Sequence, residues 1–336
     1  MLPKEPSPAL FFETINAYHR TAALKGAVEL GIFSVLGQGS TAADIAKSCN
    51  ATERGIRILC DYLTIAGFLK KKGERYSNTP DSEAFLRKDS RTYVGGTLQF
   101  LLSDQLQESF RDVAGCVKRG GTLLEGAGTV DPDDPVWVDF AQGMAPMMMP
   151  AALDLASLVP QAVDQPIRVL DIAAGHGIFG ITIAKRFPKA EITAVDWRAV
   201  LEVAKENARR FEVADRYKTI AGSAFEADFS EGYDVVLLTN FLHHFNPAQN
   251  EALLGRVKKA LKPGGRALTL EFVPNEDRVS PPSSAAFSMV MLCSTPEGDA
   301  YTFAELEKMF EHAGFAKSTL VELPSGMQRA VVSEVA

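Results

Sequence analysis

Apolar residues recur at helical spacing between Ala9 and Leu36, at Phe12, Ile15, Ala22, Val28, Ile32 and Val35, with soft breaks at Gly26 and Gly31. That pattern predicts two helices. Thr41-Ala-Ala-Asp44 is a capping box opening a short helix through Lys47. Thr52 precedes another helix, whose Ile56, Leu59, Cys60 and Leu63 share one face before Gly67. Phe68 to Tyr76 reads as a hairpin turning at Lys72-Gly73. Helices followed by a hairpin are a winged-helix arrangement. Residues 95–160 stay mostly helical, interrupted by Gly120-Gly121 and by Asp131-Pro-Asp-Asp-Pro135, which reads as a loop and helix entry.

After Pro166 the pattern alternates. Short apolar runs predict strands at 167–172, 191–196, 217–221, 233–239 and 266–272. Helical periodicity falls between them, at 178–187, 199–212, 247–261 and 302–313. Strand and helix in alternation specify a doubly wound α/β sheet. Two more strands, near 318–323 and 327–333, follow with no helix between them, so the last is expected to pair antiparallel.

Within this half, Ile167 to Gly177 reads as strand, glycine turn and helix start, and Glu191 to Asp196 as a second strand ending in an acid. Gly175 and Gly177 permit the tight turn. Asp196, about twenty residues past the glycines, is placed to accept the hydroxyls of a ribose. Ala173 and Ala174 stand where a dinucleotide fingerprint has its first glycines. A pyrophosphate cradle is therefore disfavoured against a nucleoside cofactor without phosphates, such as S-adenosylmethionine.

Composition narrows the partners. A net charge of -7 on 336 residues argues against a general nucleic-acid binder. The wing lysines Lys70, Lys71 and Lys72 are read as a solvated edge rather than a phosphate grip, and the first domain as a packing or dimerisation module. No apolar run approaches the roughly 18 residues that span a bilayer. With no signal-peptide core at the N-terminus, the expected location is cytoplasmic. Cys49, Cys60, Cys116 and Cys293 are scattered without metal-ligand spacing, as expected of buried thiols, and no metal is expected.

Three landmarks coincide: the turn at Asp171 to Gly177, the acid at Asp196, and Tyr233-Asp-Val-Val-Leu-Leu-Thr-Asn-Phe-Leu-His-His-Phe245 followed by Ala260-Leu-Lys-Pro-Gly-Gly-Arg-Ala-Leu-Thr-Leu-Glu-Phe272. In this order the chain resembles the S-adenosylmethionine-dependent O-methyltransferases that carry an N-terminal winged-helix dimerisation domain, a group including caffeic acid and acetylserotonin methyltransferases. The resemblance implies a Rossmann-like seven-stranded methyltransferase domain preceded by an all-helical or winged-helix dimerisation domain. The expected boundaries are 1–95 for dimerisation, 96–160 for a helical connector lining the substrate pocket, and 161–336 for the catalytic domain. It further implies a homodimer, a small-molecule methyl acceptor, and S-adenosylhomocysteine as the spent cofactor.

Position by position, the resemblance assigns cofactor contacts to Asp171, Gly175, Gly177, Asp196, Trp197, Ser223, Ala224, Phe225, Thr239 and Asn240. Two of these depart from the family. Ser223 stands where an Asp usually faces the adenine amino group, and Thr239 replaces a Lys common in plant members. His243 matches the general base and Glu271 the acid that orients it; a second orienting acid would align near Ala300 and is missing. Histidine suits the task. Passing a phenol's proton, of pKa about 10, to an ordinary imidazole is uphill by roughly 5 kcal/mol, against roughly 8 for a carboxylate.

Phe100, Phe140, Met144, Met147, Met148, His244, Phe287 and Met291 are the expected substrate pocket, Phe140 and Met144 at the family's FxxxM spacing. Packing within a helix is the plainer alternative for Met147-Met-Met149, and His176 reads as a loop residue. On an extended segment His243 and His244 would point to opposite faces, which argues against a metal. The leading expectation is O-methylation of a flat aromatic molecule. Carbon, nitrogen or sulfur acceptors, or a non-methylating cofactor binder or winged-helix regulator, are the alternatives.

Overall fold

The computed structural model describes residues 6–130 and 134–336. The first three residues of the predicted 131–135 loop lie outside the described residues; Pro135 precedes the helix Val136–Gly143. Residues up to Leu98 form one compact unit and Gln99–Ala336 another.

In the first unit, helices Ala9–Glu29, Ile32–Val35, Ala42–Ser48, Glu53–Ile65 and Pro80–Phe85 accompany three short strands, β1 (Ser40–Thr41), β2 (Leu69–Lys72) and β3 (Arg75–Asn78). The capping box forms as its chemistry requires. Thr41 Oγ1 accepts from the Asp44 N–H, and the Asp44 carboxylate accepts from the Thr41 N–H, each at 3.2 Å. Ile56, Cys60 and Leu63 turn inward onto Ile32, Phe33, Leu36 and Tyr76. The hairpin is antiparallel, and β1 extends it to the order β1-β3-β2. Lys71 is not free at the wing: it pairs with Asp61, which also takes Arg57 and the Tyr76 hydroxyl. At the start of the unit, Leu10, Phe11, Phe12, Ile15 and Tyr18 stay exposed on the first helix.

The second unit is built on seven strands: β4 (Ile167–Ile172), β5 (Ala190–Asp196), β6 (Tyr217–Ala221), β7 (Tyr233–Thr239), β8 (Leu261–Glu271), β9 (Lys317–Glu322) and β10 (Arg329–Glu334). Their order is β6-β5-β4-β7-β8-β10-β9, parallel except for β10, which runs antiparallel to both neighbours. Side chains alternate across each strand, so the apolar runs feed two cores. Val169, Ile192, Val235, Leu237 and Leu268 face helices Ala145–Ser157, Ile178–Arg186 and Arg198–Arg210. Leu170, Ile172, Val195, Val236 and Leu238 face helices Pro247–Ala260 and Phe303–His312. β4 is paired to β5 on one side and β7 on the other. The chain therefore reverses its winding at β4, and the crevice beyond the strand ends there is where open α/β sheets bind ligands. Among the described residues no helix is long and apolar enough to cross a membrane.

Candidate active site

A cavity of about 640 Å³ opens at that crevice. One side is made by the segments leaving the strands: Ala173 and Gly175 after β4, Asp196 and Trp197 at the tip of β5, Ser223, Ala224 and Phe225 after β6, and Asn240, His243 and His244 after β7. The facing wall holds Phe100, Phe140, Met144, Met147 and Met148 with Phe287 and Met291. No Lys or Arg lines it among the described residues.

The first end is organised by Asp196. Its Oδ2 accepts from the Gly175 N–H at 2.8 Å and its Oδ1 from the Trp197 N–H at 2.7 Å. Burial pushes its pKa up to about 6 against the pull of those two N–H groups. Gly175 has φ +56, and a Cβ there would sit 3.3 Å from the Phe140 ring, so a side chain would strain the turn and press that ring where the cavity passes. The turn rests on buried groups. Asp171 Oδ2 accepts from the Gly180 N–H at 3.1 Å while its Oδ1 has no partner, and burial first, then Asp196, raise it to about 7. His176 is buried too, stacked on Phe140 at 5.7 Å, and desolvation lowers it to about 4.

The other end is organised by Glu271. At the end of β8 its Oε1 accepts from the Phe241 and Leu242 N–H groups at 2.9 and 2.8 Å, and its Oε2 lies 2.5 Å from His243 Nδ1. A carboxylate only accepts, so Nδ1 carries the proton and Nε2 presents a lone pair. Phe272 and Phe287, stacked at 4.0 Å, close over the pair, and Phe287 meets His243 edge-on.

The expectation that His243 and His244 point to opposite faces is wrong. Leu242–His244 is a 3₁₀ turn, not extended chain, and its tighter winding brings the two rings side by side at 4.2 Å, both on the cavity. His176 lies in the turn, as expected of a loop residue, and braces it: its Nδ1 accepts from the Ile178 N–H at 3.2 Å and its carbonyl takes the Asn207 amide.

Gly175, Asp196, Trp197, Ser223, Ala224, Phe225 and Asn240 come together on the cavity, as do all eight residues expected in the substrate pocket. Asp171, Gly177 and Thr239 do not. Asp171 is fully buried and points from β4 into the first core, Gly177 caps the following helix at φ +74, and Thr239 is buried in β7. Ala300 is buried and supplies no acid. Trp137 and Phe272 belong to the cavity and escaped the sequence reading. Trp137 was findable, because it precedes Phe140 by three positions on an apolar helix.

A doubly wound sheet with an acid at the tip of β5 and a largely apolar cavity at its switch point, lined by no Lys or Arg among the described residues, fits a small-molecule enzyme using a phosphate-free nucleoside cofactor. The chain belongs to the S-adenosylmethionine-dependent O-methyltransferase family: residues 129–316 match the O-methyltransferase domain, and residues 12–88 match the O-methyltransferase dimerisation domain. It is 27% identical to the 3-hydroxy-5-methyl-1-naphthoate 3-O-methyltransferase of Streptomyces sahachiroi, covering 99% of this chain and 96% of that one. It is also 27% identical to the tetracenomycin polyketide synthesis 8-O-methyltransferase of Streptomyces glaucescens, covering 94% of each. A Nostoc punctiforme structure described as a candidate O-methyltransferase is 52% identical, with a TM-score of 0.95 over 98% of this chain and 99% of that one. Human N-acetylserotonin methyltransferase, solved with S-adenosylmethionine, shares the fold at 22% identity and a TM-score of 0.85, covering both chains fully.

The cavity fits that cofactor on its own evidence. The Asp196 carboxylate suits a ribose, Trp197 and Phe225 offer flat faces for a base, and no Lys or Arg among the described residues lines the cavity to meet a phosphate.

Proposed function

We propose that this enzyme methylates a hydroxyl of a flat, apolar, aromatic molecule, with His243 as general base and Glu271 as its positioning residue. The observation that carries the reading is the 2.5 Å contact between Glu271 Oε2 and His243 Nδ1, which leaves Nε2 as the unprotonated nitrogen on the cavity. When bound, S-adenosylmethionine supplies an activated methyl group. Asp196 would hold its ribose, Gly175 the approach of its chain, and Trp197 and Phe225 the base, with Ser223 contributing a hydroxyl where the family usually has a carboxylate.

His243 Nε2 accepts the hydroxyl proton as the oxygen becomes a nucleophile, and Glu271 steadies the imidazolium that results. Met144, Met147, Met148 and Phe287 exclude water and follow an irregular flat outline, Met by its flexible thioether. The Streptomyces sahachiroi relative is named for methylating a hydroxyl of a naphthoate, which supports an aromatic hydroxyl as the acceptor here. The exposed apolar stripe Phe12, Ile15 and Tyr18, within the segment matching the dimerisation domain, supports a homodimer.

The test is His243→Ala, assayed by methyl transfer to a naphthol beside calorimetric binding of S-adenosylhomocysteine. The expected result is a 10²–10⁴-fold loss of kcat with cofactor affinity retained. Turnover within threefold of wild type would remove His243 from the chemistry. Loss of affinity on Asp196→Ala checks the other end.

A further inference from the structure

The acceptor end of the cavity has few polar side chains, and most are already committed. Thr129 Oγ1 donates to the Ser294 carbonyl, Ser294 Oγ donates to the Val290 carbonyl, and Trp137 Nε1 donates to the Thr129 carbonyl. The Asn240 amide lies between Gln328 and the Met148 sulfur. His244 differs. Its ring is buried and meets Trp137 edge-on at 5.2 Å, its Nδ1 is sealed away from solvent with no partner, and the ring lines the cavity beside His243.

We infer that His244 is a specificity-determining residue that binds a second, uncharged oxygen adjacent to the hydroxyl being methylated. The acceptor class is thus a neutral aromatic with two neighbouring oxygens, one delivered to His243 and one to His244. This rests on the aromatic-hydroxyl reading proposed above. Three observations carry it. The two rings are 4.2 Å apart on one 3₁₀ turn, so neighbouring substituents reach both. Nothing in the fold engages Nδ1, so neither tautomer of His244 is imposed, and the ring can offer the cavity it lines either a donor to a carbonyl or an acceptor to a hydroxyl. No Lys or Arg among the described residues lines the cavity, so a carboxylate beside the hydroxyl would be buried without a counter-charge. Burial first, then His243, hold His244 well below the ordinary imidazole range, which keeps it neutral.

The experiment compares kcat/KM for 2,3-dihydroxynaphthalene, 2-naphthol and 3-hydroxy-2-naphthoate in wild type, His244→Phe and His244→Asn, with S-adenosylhomocysteine binding measured on each. Wild type is expected to prefer the diol over the single hydroxyl by about tenfold beyond the statistical factor of two, the worth of one hydrogen bond. The carboxylate should be the poorest acceptor. His244→Phe should collapse the diol preference, and His244→Asn, which keeps a donor and an acceptor, should restore part of it. An unchanged preference in a His244→Phe protein that still binds S-adenosylhomocysteine overturns the assignment, as does 3-hydroxy-2-naphthoate being the best acceptor. If wild type binds S-adenosylhomocysteine but methylates none of the three, the aromatic-hydroxyl reading itself falls. If His244→Phe no longer binds S-adenosylhomocysteine, the His244→Asn ratio alone decides: a reduced or lost diol preference sustains the role, and a wild-type preference overturns it.

Discussion

Replacing Glu271 by Gln changes one atom type and should silence the enzyme. The carboxylate accepts three hydrogen bonds, from Phe241 N, Leu242 N and His243 Nδ1. A glutamine amide has one oxygen and one NH₂ group. With the oxygen toward Phe241 and Leu242, both backbone donors stay satisfied and the NH₂ faces Nδ1. The reverse orientation sets the NH₂ against two N–H groups and leaves three donors facing one another in a buried site, at about 1–3 kcal/mol for each unsatisfied group. The first orientation therefore wins, and it forces Nδ1 to accept. The proton moves to Nε2, where a base can no longer act. A wrong tautomer at a carboxylate-paired histidine costs about 10⁴ in kcat in the serine-protease case, and general-base loss costs 10²–10⁴ more broadly. The expected result is a fall of 10²–10⁴-fold in kcat, with S-adenosylhomocysteine affinity within a factor of about three. The assay is single-turnover methyl transfer, paired with ¹⁵N spectra of the His243 ring to read the tautomer. Activity within threefold of wild type, or an Nδ1-protonated ring in the variant, would refute the reasoning.

The buried acid under the glycine turn gives a pH signature. Asp171 is raised to about 7 in the fold against about 3.9 in an unfolded chain, so the native state binds the extra proton. Its stability contribution is full below pH 4 and is lost as pH rises through 7. Between pH 5 and 8, urea midpoints of wild type should fall relative to Asp171→Asn by roughly 2 kcal/mol equivalent, and a pH-independent difference would contradict this. Gly177→Ala should destabilise by about 2 kcal/mol or more and, by distorting the turn that carries Gly175, weaken S-adenosylhomocysteine binding. Its φ is +74 and a Cβ would fall 2.6 Å from the Tyr217 hydroxyl; chemical denaturation and calorimetry check both. Phe12→Asp with Ile15→Lys should turn a dimer into a monomer by light scattering at micromolar concentration, since both side chains are about half exposed in the single chain.

The parts of the fold legible in the sequence are those where one physical rule acts alone. Period-two apolar runs divide cleanly between two cores, and Thr41, Thr52 and Thr302 each cap the helix that follows. Helix Phe287–Ser294 is apolar all round and left no periodicity to read, although it supplies Phe287 and Met291 to the cavity. Asp171 looks like a ligand in the motif, but strand alternation turns it into the core, two residues before the chain reaches the cavity at Ala173. The two histidines turn on a conformational choice that residue types alone do not declare. In extended chain they diverge; in the 3₁₀ turn, with the backbone N–H groups of Phe241 and Leu242 gathered by Glu271, they converge.

That convergence bears on charge as well as shape. Half-buried Asp196 and buried Glu271 are carboxylates serving a cavity that no Lys or Arg lines among the described residues, so its field favours a cation and opposes an anion. A proton accepted at Nε2 makes His243 a cation 2.5 Å from Glu271, inside the site rather than in water. His244 alongside must then remain neutral, because a second positive ring 4.2 Å away would oppose that uptake. In the proposed mechanism the adjacent histidines therefore take different roles: one changes charge during the reaction, and the other serves only while it does not.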